Sequence, residues 1–148
     1  MSRKYAVDFS DTNTTATTMG AITSTAAIRP EILMITLGSR ATPADNAVGY
    51  LFQRYTAAGT FTSVTPQALD PGDPAATGTA GENHTAEPTY TANAILLHLD
   101  MNMRPHLIWQ VLEGRGLKMP ATAANGIGCQ AQSPTTPFAM DGTYHYGE

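Results

Sequence analysis

No stretch of this chain carries the apolar period of an amphipathic helix. Its large apolar residues fall instead in short runs with two-residue alternation, separated by Gly, Pro, Asn and Asp. In KYAVDFS, Tyr5, Val7 and Phe9 share one face while Ala6 and Asp8 share the other. EILMITL (Glu31 to Leu37) puts apolar groups on both faces, Leu33, Ile35 and Leu37 against Ile32, Met34 and Thr36, as a covered strand does. YLFQRYT (Tyr50 to Thr56) separates Tyr50, Phe52 and Arg54 from Leu51, Gln53 and Tyr55. YTANAILLHL, LIWQVL, the Ile127–Ala131 run and FAMDGTYHY continue the pattern. YTANAILLHL and LIWQVL read either as a hairpin or as strands crossing between sheets, and Trp109 is expected in the core. Eight or nine short strands predict an all-β chain, an antiparallel β-sandwich or jelly roll.

The connections are long and rich in Pro, Gly and Thr. Residues 66–88 hold four prolines and hardly a large apolar group, which predicts one long loop whose Asp-Pro pairs set turns. Residues 1–27 are dominated by Thr and Ala after KYAVDFS, and are expected to form an N-terminal arm or edge strand. The sandwich or jelly-roll domain is then expected to span residues 28–148.

Composition narrows the function classes. Charged residues make up 14% of the 148, against roughly 25% in ordinary soluble domains. Ala and Thr occur 22 times each in their place. The net charge is −4, and the single basic doublet, Arg3-Lys4, is too small to hold a phosphate backbone, so no direct nucleic-acid binding is expected. No apolar run is long enough to span a membrane, and Asp8 and Asp11 interrupt what would be the core of a signal peptide. A lone cysteine, Cys129, allows no internal disulfide.

The chemistry-bearing residues form no known constellation. His84, His98, His106 and His145 lack metal-ligand spacing, and one cysteine cannot build a paired-cysteine zinc site. Cys129 has no basic neighbour in sequence to lower its pKa, so a packed, inert thiol is expected. The acids of the long loop, Asp70, Asp73, Glu82 and Glu87, stand too far apart for a calcium loop and serve better as turn formers. No catalytic residue, metal or cofactor is therefore expected.

Three stretches carry a resemblance: ITLGSRATPADNAVGYLFQRYTAAGT (Ile35 to Thr60), TPQALDPGDPAATGTAGENHTAEPTYTANAILLHLDMNMRP (Thr65 to Pro105) and NGIGCQAQS (Asn125 to Ser133). They resemble small virion structural proteins of tailed bacteriophages and prophages, whose closest functional analogy is with capsid decoration (cement) proteins. The resemblance brings no catalytic motif. It implies a non-enzymatic protein, assembled in the bacterial host cytoplasm, that sits on the capsid surface as a homotrimer and bridges major capsid subunits. The contact residues expected for that role are Arg3, Tyr5, Phe9, Asp70, Asp73, His84 and Glu87. Two other roles fit the same fold: a tail or neck subunit, or a carbohydrate-binding module using Tyr50, Tyr55 and Tyr90. An enzyme would need Cys129 or a histidine pair beside a carboxylate.

Overall fold

The computed structural model describes residues 2–13, 17–40, 42–132 and 138–148. Among them it forms twelve strands and no helix. The strands are β1 (Lys4–Asn13), β2 (Thr18–Thr23), β3 (Glu31–Ser39), β4 (Ala47–Ala57), β5 (Thr60–Val64), β6 (Gln67–Ala68), β7 (Thr79–Ala86), β8 (Thr89–Asn102), β9 (Leu107–Gln110), β10 (Leu117–Lys118), β11 (Gly126–Ala131) and β12 (Phe138–Gly147). One sheet runs β10-β3-β12-β1-β6, with β9 also paired to β3. The other runs β5-β7-β2-β11-β4-β8. Neighbouring strands are antiparallel in both. No closed barrel and no jelly-roll order is detected among the described residues.

The alternation in the sequence decides which side chains meet between the sheets. Tyr5, Val7 and Phe9 of β1 are buried, as are Met140, Tyr144 and Tyr146 of β12 and Tyr50 and Phe52 of β4. The sheets touch where small residues let rings through. Phe9 lies over Gly142 of β12 and Gly20 of β2, and a Cβ at either glycine would run into its ring. The Tyr144 hydroxyl donates to the Gly20 carbonyl at 3.0 Å. Phe52 stands edge-on to Tyr144, 6.4 Å away across the interior. Trp109 packs against this core.

β4 and β5 are joined by two residues, as are β7 and β8, and the pairing continues through both joints, with Ala57 opposite Thr89 and Thr60 opposite Ala86. The four strands are one long ribbon folded over the β2–β11 pair. Gly59, at φ +74, supplies the bend; a Cβ there would collide with the Ala86 carbonyl. The crossing covers the outer face of β2 and β11. Tyr55 lies on Gly126, Tyr90 approaches Gly128, and Phe61 covers Gly81. This second cover is why all six residues of β2 are buried.

Three expectations from the sequence change here. Residues 1–27 form no free arm: β1 pairs with β12 along its length and with β6 only at Tyr5 and Ala6, so the rest of it runs at the sheet edge, while β2 lies between β7 and β11. Their Thr- and Ala-rich texture is that of strands covered by rings from elsewhere. Residues 66–88 are no single loop, since β6 and the whole of β7 fall inside them, leaving 69–78 as the connection between the two. The outward Gly81 of β7 takes its apolar cover from Phe61, so the strand shows no alternation of its own. In β3, a register shift opposite His145 and Tyr146 skips Leu33, so Ile32 joins Ile35 and Leu37 on the buried face. Of the two readings of YTANAILLHL and LIWQVL, the crossing between sheets is the observed one.

Candidate functional site

The connection 69–78 is fastened at both ends. At its start, the Leu69 amide donates to the Lys4 carbonyl at 2.9 Å, and at its middle the Tyr5 hydroxyl donates to the Pro74 carbonyl at 3.1 Å. Within it, the Asp70 carboxylate accepts the Gly72 amide at 2.8 Å, the local turn that an Asp before Pro-Gly favours. At its far end, the Glu148 carboxylate accepts the Thr77 and Gly78 amides at 2.9 and 2.8 Å.

Between this connection and the start of β1 lies a depression of about 400 Å³ lined by Ser2, Arg3, Lys4, Leu69, Asp70 and Asp73. A second, of about 190 Å³, opens on the outer face of the same sheet; Leu33, Met34, Gln110, Val111, His145 and Tyr146 line it together with Lys4 and Leu69. The two shared residues make one groove. Strand register explains its floor: Met34 pairs with His145 on one side and Gln110 on the other, so all three side chains point outward. Lys4 forms the partition. Its ammonium meets Glu113 at 2.9 Å and donates to the Ser2 hydroxyl at 2.7 Å, close over Gly147, where a side chain would obstruct it.

The groove is charged at one end and aliphatic at the other. Leu69 is 52% exposed at the junction. Ile108, opposite Thr36 on the same outward face, and Leu112, just past β9, are more exposed still.

Of the residues expected at an interface, Arg3, Asp70 and Asp73 come together in the groove. Of the others, only the Tyr5 hydroxyl approaches them. Tyr5 is fully buried, its ring stacked on Tyr146 at 5.6 Å, and only its hydroxyl reaches the 69–78 connection. Phe9 fills the space between the sheets. His84 is buried on the other sheet beneath Phe61, at 5.4 Å between ring centres. Glu87 is exposed, but its carboxylate accepts the Thr18 amide at 2.9 Å and the Thr18 hydroxyl at 2.6 Å, which fastens the folded ribbon to β2. Tyr5, Phe9 and His84 are thus corrected from contact residues to packing residues: strand alternation for Tyr5 and Phe9, and the Phe61 cover for His84, turn them away from solvent.

The groove residues that the sequence did not single out are Leu33, Met34, Leu69 and Val111. The apolar groups on both faces of EILMITL were a signal for Leu33 and Met34 alone. The Lys4–Glu113 partition joins residues too distant in sequence to be paired by inspection.

Several other reactive side chains are committed to packing. Cys129 is fully buried and burial pushes its thiol far above the ordinary range, which suppresses the thiolate. Tyr50 and Tyr55 are buried, so they offer no stacking face for a sugar ring. The Tyr90 hydroxyl pairs with Thr18. No three His, Cys, Asp or Glu side chains gather as a metal site would require among the described residues.

Compared with protein-family models, curated proteins and solved structures, the chain finds no match.

Proposed function

We propose that this chain is a virion structural protein of the tailed-phage type that works by surface contact rather than by chemistry: a capsid decoration (cement) protein bridging major capsid subunits. Its two facing sheets act as a rigid β-sandwich, assembled in the host cytoplasm and carried on the capsid surface. The observation that carries the reading is the preformed groove on the outer face of the β3–β12–β1 sheet, with Leu69 exposed where its charged and aliphatic ends meet.

The magnitudes suit that role. A standard interface takes about 800 Å² from each partner, roughly a ninth of the chain's 7170 Å² of accessible surface. Apolar burial at about 25 cal/mol per Å² supplies the adhesion, and the charged end sets orientation more than strength. Because the walls are fastened before binding, little ordering cost is added on contact.

The test is co-sedimentation of the purified chain with empty capsids. The chain is expected in the capsid pellet, and Leu69→Asp is expected to weaken binding about thirty-fold, as the loss of a central apolar anchor does. Sedimentation with isolated tails or necks, and not with capsids, would move the assignment to a tail or neck subunit. A chain that ignores both would overturn the virion reading.

A further inference from the structure

Among the described residues, four strands at sheet edges are short: β6 and β10 have two residues each, β9 four and β5 five. β1 is open on its β6 side beyond Ala6, where the Glu82 carboxylate takes the Ser10 amide. Short edges resist unwanted pairing. β8 does not follow that rule. After the left-handed residue Asn93, at φ +58, it runs from Ile95 to Asn102 along β4, and no described strand pairs its other side.

The side chains on this stretch are arranged in two rows. Leu97, Leu99 and Met101 stand opposite the buried Phe52, Tyr50 and Val48, yet stay only partly buried, with no described strand flanking them. On the opposite face His98 and Asp100 lie 3.1 Å apart, both largely exposed.

We infer that β8 is a self-pairing strand, and that its partner is the β8 of a second copy of this chain, joined antiparallel about a two-fold axis through Leu99. Backbone polar groups of alternate residues point to the free edge, so such an axis must pass through a residue and never between two. Three residues lie near the middle of the stretch. An axis through His98 sets two imidazoles face to face, and one through Asp100 sets two carboxylates face to face, which opposes pairing. An axis through Leu99 sets His98 opposite Asp100 of the copy at two symmetric positions. It also sets Leu97 opposite Met101 and Leu99 opposite itself, extending the apolar row across the joint. The strand is thus self-complementary in charge and in shape in one register. Its edge belongs to the other sheet from the groove, so both surfaces work at once and the pairing does not rest on the virion reading.

Two-fold pairing makes a dimer, and the trimer implied by the resemblance has a different mass. Light scattering after size exclusion of the full chain is expected to give twice 15.7 kDa. His98→Asp places like charges opposite each other at both positions and is expected to weaken the dimer about ten-fold; adding Asp100→Lys to it restores pairing. Leu99→Cys is expected to cross-link two chains on mild oxidation, whereas Ile95→Cys, which faces residue 103 of the copy, is not. The buried Cys129 stays out of that chemistry. A monomer at every concentration, a trimer, or a dimer indifferent to the charge reversal would each overturn the inference.

Discussion

His84 shows how one side chain can set a pH limit on the fold. It is 7% exposed and lies beneath Phe61. Burial pulls its pKa below the ordinary 6.5, opposed by the nearby Glu87 carboxylate. The folded state therefore resists protonation that the unfolded chain accepts. Stability is complete above the unfolded value and is lost as pH falls from 6.5 toward the lower folded value, with a slope of at most about 1.4 kcal/mol per pH unit. Asp11 has the opposite sign: burial raises its carboxyl above 3.8, so its contribution grows as pH falls through that raised value. Urea melts across this range are expected to show the His84 slope in the parent chain and to lose it in His84→Phe, which Phe61 accommodates as a second ring. An unchanged slope would place the acid sensitivity elsewhere. At the same scale, Gly142→Ala drives a methyl into the Phe9 ring and is expected to cost about 1–3 kcal/mol, read as a lower urea midpoint; no shift would mean that Phe9 can move aside.

The elements are fastened by a sparse set of carboxylates. Glu31 accepts the Gly114 and Gly116 amides, Glu82 the Ser10 amide, Glu87 the Thr18 amide and hydroxyl, and Glu148 the Thr77 and Gly78 amides. Each ties segments roughly seventy or more residues apart in a chain where charged groups are scarce. Glu87→Ala is expected to cost about 1.5–3 kcal/mol and to raise amide exchange at Thr18 while leaving β3 and β12 protected; uniform exchange would show that the ribbon is held by packing alone. This is also the scale at which the sequence is informative in some places and silent in others. β1, β4 and β12 bury their own alternating side chains, so their faces can be read from the letters. β2, β7 and β11 carry glycine, alanine and threonine under Tyr55, Tyr90 and Phe61 from other strands, and the buried Met19 and Ile22 of β2 do not fall on a two-residue period. In β3, the face of Ile32 depends on a bulge set by β12, which no local pattern encodes. The groove is legible to the same extent. Arg3, Asp70 and Asp73 are polar residues near chain turns, whereas the apolar floor follows from the register of β3 against β9 and β12.

At the scale of the whole molecule, one sheet presents a groove built from distant parts of the chain: the start of β1, the 69–78 connection, β3 and the end of β9. A protein that works by adhesion needs such a surface held in shape before contact. Hydrogen exchange of the chain bound to empty capsids, compared with the free chain, locates the contact directly. Added protection is expected at residues 69–73 and along Leu33, Met34, Gln110 and Val111, with β2 and β11 unchanged. Protection confined to the outer face of the other sheet, or absent altogether, would contradict it.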